Sequence, residues 1–470
     1  MLFNSFEFIA FLTVITILYW LTKQSYRWIL LLIASYMFYM SWEPTYIALI
    51  LISTSIDYFT CLYLTGSDDK KRKKIGLGVS VFLNLGLLFT FKYFNFFQEV
   101  LHDTLSLFSI QYAPHLSNFL LPVGISFYTF QTISYSIDVY RNELPAERHF
   151  GKFALYVSFF PQLIAGPIER AKGLLGQINK PQNKLKYIQL KEGVTLFLWG
   201  LFKKVVVADN AQIIADHFFN NSEFQNGGSL LFATFLFAIQ IYADFSGYSD
   251  MAIGTAKVMG FELSTNFKTP YFSQSISEFW TRWHVTLSLW LRDYVYIPLG
   301  GSRFGKLKHL RNLFITFFLA GIWHGASWNF VVWAIFHATL IIIEKLLKVK
   351  KPSRNLFFKT ARITLNFSII IITMMIPVRT SNIPEMVSVY EKIAHLNWND
   401  LYFAVAQYKY SGAMIGIIFL FITEVTIAKN DIIGILTKPR YIQYTWSITA
   451  IILILLLGDN NGDAFFYFQF

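Results

Sequence analysis

Apolar stretches of membrane-spanning length recur along most of the chain. Runs at about 5–21, 28–42, 46–64, 75–97, 119–140, 363–378, 411–428 and 441–458 read as helices that cross a bilayer. Roughly 20 apolar residues rising 1.5 Å each match the hydrocarbon core of a membrane. The first run has no basic segment before it and is followed by further spans, so no cleavable signal peptide is expected. The middle third, 153–344, follows a different pattern. Its apolar runs are interrupted at Gly166-Pro167, Gly247, Gly260, Pro270, Pro298 and Gly300-Gly301. Irregular backbone at membrane depth is tolerated only where protein or a water-filled cavity surrounds it. The pattern predicts an all-α, polytopic integral membrane protein with about 10–12 spanning helices, plus re-entrant or broken ones. Three regions are expected: N-terminal transmembrane helices over 1–150, a broken functional core over 151–345, and C-terminal transmembrane helices over 346–470.

Composition removes the soluble alternative. Hydrophobic residues make up 54% of the 470 positions and charged residues 14%, against roughly 25% charged in a soluble domain. The net charge of +12 raises the question of an acidic partner, and the placement of the charges answers it. Loops 22–27, 66–74, 141–152, 344–362 and 429–440 carry twenty Lys or Arg, whereas 43–45, 98–118, 379–410 and 459–470 carry three. Basic residues accumulate in cytoplasmic loops. The N-terminus, loops 98–118 and 379–410 and the tail 465–470 are therefore expected outside the cytoplasm. Lys70 to Lys74 reads as a topology determinant near anionic headgroups, not as a nucleic-acid patch. Cys61 is the only cysteine, which excludes a disulfide within the chain and CxxC redox chemistry. No metal site with recognisable ligand spacing is present.

Both ends of 153–344 fall on the cytoplasmic side by this count. The same holds for the apolar stretch 312–343, which lies between basic clusters at 303–311 and 345–351. Such a stretch must turn back, and Gly321 to Asn329 is the expected turn. His324 sits there, about 18 Å along a helix begun at Asn312 and near mid-membrane. An ionisable residue at that depth is a candidate functional group. The bland alternative is a neutral imidazole satisfied by a carbonyl, but two glycines, Trp323 and Asn329 beside it favour function. A second group comprises Arg282, Trp283 and His284, followed by Arg292-Asp293. Arg292-Asp293 reads as a structural pair, and His284 as either a catalytic partner or a structural hydrogen bond. A third stretch, Gln240 to Asp250, places Tyr242, Asp244 and Asp250 in an apolar helix, where the acids could bind a cation or orient a histidine. Pro161 to Arg170 reads as a helix stop that brings Glu169 and Arg170 to the cytoplasmic mouth, and His337 as structural. P-loop, Rossmann, GxSxG and HExxH patterns are absent.

These segments resemble the membrane-bound O-acyltransferase (MBOAT) family, in its alginate and peptidoglycan O-acetyltransferase branch. The resemblance rests on Gln240 to Asp250, Phe279-Trp280 through Gly300-Gly301, Trp323-His324-Gly325, Phe202 to Asn210 and Gly166-Pro167-Ile168. It implies a central tunnel, a catalytic histidine at His324 and a second characteristic position at His284. It also implies acetyl-coenzyme A as a cytoplasmic acyl donor, with no permanently bound cofactor. The acetyl group would pass to a periplasmic, esterase-like partner protein or directly to a polysaccharide, across a bacterial inner membrane. Substrate or tunnel roles are expected for Trp323, Asn329, Arg282, Asp244, Asp250, Tyr242 and Trp283, with the Trp323 indole and Asn329 amide as candidate oxyanion donors. A reading from another class is a proton-coupled transporter or flippase of a lipid-linked sugar, with His and Asp as the relay.

Overall fold

A computed structural model describes residues 1–66, 69–117, 121–182, 184–349, 352–395, 407–427, 432–459 and 465–466. Among these the secondary structure is entirely helical. Six helices are long and apolar enough to cross a membrane, and Phe6–Leu21 and Tyr410–Thr426 are shorter apolar helices. Each of the eight apolar runs in the sequence overlaps helix among the described residues. The protein is a multi-pass membrane protein.

The chain divides into two compact units, one of Met1, 7–189 and 256–264, the other of 2–6, 190–255 and 265–470. These boundaries differ from divisions at 150 and 345, because compactness follows packing and not the interruption of apolar runs. The first unit holds α1 (Phe6–Leu21), α2 (Arg27–Met40), α3 (Ile47–Thr65), α4 (Lys70–Leu88), α5 (Phe94–Ser106), α6 (Ile125–Tyr140), α7 (Phe150–Ser158) and α8 (Ala171–Asn179). Helices α3, α4 and α6 meet around Asp57, which is fully buried. Its carboxylate accepts from Ser80 Oγ at 2.5 Å, Ser136 Oγ at 2.7 Å and Asn84 Nδ2 at 2.8 Å. Polar groups of this kind fix the register of helices that have no hydrophobic drive to associate in lipid.

Two expectations are corrected in this half. The stretch 98–118 is not a loop throughout, since α5 continues to Ser106; Glu99 and Asp103 lower its hydropathy without breaking the helix. The helix stop before Arg170 is present, between α7 and α8. However, Glu169 is buried and accepts the backbone N–H of Ser264 at 2.5 Å, so it does not stand at an open mouth.

The second unit holds α9 (Tyr187–Phe202), α10 (Asp209–Phe219), most of α11 (Gly227–Val258), α12 (Ile276–Trp280), α13 (Val285–Leu291), α14 (Lys306–His324), α15 (Trp328–Leu346), α16 (Leu356–Ile370), α17 (Ile376–Arg379), α18 (Ile383–Ala394), α19 (Gln407–Ile427) and α20 (Arg440–Leu457). Helix α11 is a central element, with most of its apolar length enclosed by protein. It packs backbone to backbone on α9. A Cβ on Gly200 would lie 2.4 Å from the carbonyl oxygen of Gly247, and one on Gly254 would lie 2.5 Å from that of Gly193. The region 379–410 starts as a helix, α18, capped by Asn382 accepting from Glu385 N. Its later part, 396–406, lies outside the described residues. Phe465 and Phe466 of the tail are buried, and 467–470 also lie outside the described residues.

Candidate active site

The expected turn in 312–343 is present as the short link Gly325 to Ser327 between α14 and α15. Glycine makes it possible. A Cβ on Gly321 would lie 2.5 Å from Ala334 Cβ and 2.6 Å from the Phe330 carbonyl oxygen, and one on Gly325 would strike the Phe330 ring at 2.1 Å. The two helices therefore approach backbone to backbone just where His324 ends α14. His324 is half-buried, with its ring 4.9 Å from Trp323, 5.1 Å from Trp333 and stacked on Phe330 at 6.4 Å.

Trp323 joins the two histidines. Its ring lies 6.0 Å from that of His284 on one side and 4.9 Å from that of His324 on the other. His284 is 1% exposed and caps α13 with a left-handed backbone, φ +42°. A non-glycine residue there costs on the order of 1–3 kcal/mol and persists only when its surroundings hold it. Asn266 does the holding. Its carbonyl accepts Val285 N–H at 2.9 Å, while its side-chain Oδ1 lies 3.0 Å from His284 Nδ1, 2.9 Å from Thr286 Oγ1 and 3.4 Å from Thr286 N. A backbone N–H can only donate, so the shared atom is the amide oxygen. Nδ1 of His284 therefore carries the proton, and Nε2 presents its lone pair.

Helix α11 supplies the floor. Tyr242, Phe245 and Ser249 recur at helical spacing on one face. Phe245 packs on His284 at 4.8 Å, Ser249 accepts from Asn266 Nδ2 at 3.3 Å, and Tyr242 lies 6.2 Å from Trp283. Trp283 is buried, between Phe267 at 5.2 Å and Phe279 at 5.5 Å. Tyr242 donates to Glu424 at 2.5 Å. Arg282 pairs with Glu278 at 2.5 Å, one helical turn away, and Asn329 donates to the Thr380 carbonyl at 2.6 Å. The Asn329 N–H groups are thus engaged with the end of α17.

A buried ion network lies alongside. The glycine contacts of α9 and α11 bring a π-helical turn, Lys203–Ala208, against the acids of α11. Lys203 reaches Asp250 at 2.8 Å, and the fully buried Lys204 bridges Asp209 at 2.8 Å and Asp244 at 2.9 Å. The other Asp244 oxygen accepts Phe466 N–H at 2.9 Å. Asp244 and Asp250 are thus neutralised by lysines. Lys203, Lys204, Asp209, Glu424 and Asn266 carry much of the site and were not among the predicted site residues. Only the charges inside apolar runs signal the lysines, and nothing in its sequence context distinguishes Asn266.

Comparison with known proteins identifies the family. Residues 141–382 match the model of the membrane-bound O-acyltransferase family. The chain is 43% identical to a probable alginate O-acetylase of Pseudomonas syringae pv. tomato over 79% of its own length and 71% of the relative's. It is 43% identical to the probable alginate O-acetylase of Pseudomonas aeruginosa, over 76% and 68% of the two chains. With a peptidoglycan O-acetyltransferase of Helicobacter pylori the identity is 36%, over 67% and 64%. The family match spans the glycine hairpin, both histidines and the helix beneath them, so this chain belongs to the membrane-bound O-acyltransferase family and is an acyltransferase.

Proposed function

We propose that the protein is an O-acetyltransferase of the bacterial inner membrane. It takes acetyl from cytoplasmic acetyl-coenzyme A and delivers it for O-acetylation of an extracytoplasmic polysaccharide of the alginate or peptidoglycan type. His324 is the catalytic histidine in this reading, and His284 is its partner. The observation that carries it is the row His284–Trp323–His324 at the turn of a membrane hairpin. Relatives named for alginate and peptidoglycan O-acetylation support the choice of acyl group and acceptor. The distribution of basic loops supports a cytoplasmic donor side and an extracytoplasmic N-terminus.

The chemistry fits the residues. A thioester carbonyl is already activated, so the site must remove the proton of an attacking hydroxyl and stabilise the oxyanion. His324, half-buried, accepts that proton as the new C–O bond forms. The C–S bond then breaks, and the imidazolium returns the proton to the leaving thiolate. General-base help of this kind is worth about 10²–10⁴ in rate. The buried Trp323 indole and the backbone N–H groups at the start of α15, where Ser327 provides no side-chain cap, are the candidates for oxyanion donors. Where transfer is completed outside the cytoplasm, a periplasmic esterase-like partner protein takes the acetyl group on to the polysaccharide.

The test is His324→Ala with radiolabelled acetyl-coenzyme A. The variant is expected to insert and fold with unchanged melting temperature while transfer falls to background. Retained transfer overturns the assignment. A protein that moves a lipid-linked sugar and neither transfers nor hydrolyses the label would instead be a transporter.

A further inference from the structure

The first unit contains a cavity of about 480 Å³ where α1 meets α2, bordered by the start of α7 and the end of α8. That volume suits a small ligand or a headgroup. Arg27 lines it and is itself 5% exposed. Its guanidinium lies 4.8 Å and 4.9 Å from the Tyr19 and Trp20 rings, and donates to the carbonyls of Thr22 at 3.1 Å and Gln182 at 2.5 Å. Lys152 and His149 face the same space. Lys152 Nζ donates to Asn179 Oδ1 at 3.0 Å, and the His149 ring packs edge-on against Trp28 at 4.6 Å.

The charge balance gives the cavity its chemistry. Neither Arg27 nor Lys152 has a carboxylate at ion-pair distance among the described residues; both bond neutral oxygens. Glu147, the adjoining acid, accepts from His149 N at 2.9 Å and from Asn179 Nδ2 at 2.7 Å. A cationic pocket with spare N–H donors matches a phosphate ester, whose oxygens form strong charge-assisted bonds. The surroundings indicate the source. Ile17, Leu18 and Leu21 of α1 and Ile29 and Ile33 of α2 are exposed apolar residues on the two helices that form the corner. Tyr26 in the link between them and Trp28 in the first turn of α2 are amphipathic rings of the kind that settle at headgroup level.

We infer that this cavity binds the phosphate of an anionic phospholipid, whose acyl chains lie along the apolar faces of α1 and α2. Native mass spectrometry of the full chain in detergent, titrated with phosphatidylglycerol or phosphatidylcholine, tests it. The wild type is expected to retain phosphatidylglycerol about tenfold better than phosphatidylcholine. The double variant Lys152→Gln/His149→Asn keeps the hydrogen bond to Asn179 and an N-cap for α7, so its melting temperature in phosphatidylcholine should stay put while the preference disappears. Equal retention of the two lipids, or an unchanged preference in the variant, overturns the site. Stabilisation by millimolar adenosine monophosphate that the variant loses, without any by phosphatidylglycerol, overturns the lipid source.

Discussion

His284 and His337 are both fully enclosed imidazoles in the same unit, and they are held in opposite ways. His337 lies on the regular helix α15, with its ring 4.8 Å from Trp333 and 5.2 Å from Trp280. Neither of its nitrogens has a hydrogen-bond partner among the described residues. It is packed as an aromatic ring. His284 sits on a left-handed backbone, with Nδ1 fixed by an amide that three donors converge on. Burial alone therefore does not single out a working histidine. What distinguishes His284 is that the fold accepts backbone strain and supplies a dedicated acceptor to aim one nitrogen. Strain of this sort clusters where geometry serves function.

The largest effect should come from removing the aimed nitrogen while keeping the scaffold. Asparagine tolerates the left-handed region, and its amide N–H can replace Nδ1–H toward Asn266. His284→Asn is therefore expected to fold normally and to lower acetyl transfer by about 10² or more. His284→Gln, whose amide reaches the Nε2 position, should retain more activity than His284→Asn. Transfer by His284→Asn above one-tenth of wild type would reduce His284 to a structural residue, like His337.

The two regions also differ in how far their sequences can be read. The turn at His324 was legible because hydropathy, glycines and flanking charge all change within 312–343, and the hairpin of α14 and α15 follows that pattern. The row through Trp323 was half legible: its two histidines stood out as polar groups in apolar surroundings, while their common neighbour required the fold. Asn266 was not legible. It lies in a non-periodic segment between α11 and α12, and its importance comes from contacts 18 and 20 positions away. The ion pairs of Lys204 with Asp244 and the Asp57 cluster were hidden for the same reason, since each joins residues on separate helices. Hydropathy reports which face is apolar; it does not say which polar groups will find each other.

Asn266 offers a smaller effect that separates aiming from packing. Asn266→Ala removes the acceptor for Nδ1–H, and kcat is expected to fall by about tenfold with KM little changed, one hydrogen bond to a buried ring being worth on the order of 1 kcal/mol. Asn266→Asp keeps an acceptor and should restore much of the activity. Its carboxylate would favour the protonated imidazole, so the pKa of His284 rises. Activity that needs a neutral ring is lost as pH falls through that pKa, so the acid limb of the kcat profile should move to higher pH. A purely structural Asn266 would shift the melting temperature in both variants and leave the acid limb where it is.

The smallest effect is expected at His337, and it bears on the comparison most directly. Leucine is close to histidine in volume and has no polar atoms, so His337→Leu removes two buried nitrogens without opening a large cavity. An unsatisfied buried polar group costs about 1–3 kcal/mol, whereas an imperfect hydrophobic fit costs a similar amount in the other direction. The melting temperature should therefore change little or rise, and acetyl transfer should stay within about threefold of wild type, a difference of less than 1 kcal/mol. Loss of transfer in a folded His337→Leu protein would mean that the Trp333 ring, which touches both His324 and His337, links them in the chemistry. The contrast between an aimed and a merely packed histidine would then fail, because an imidazole with no visible acceptor would also be doing catalytic work.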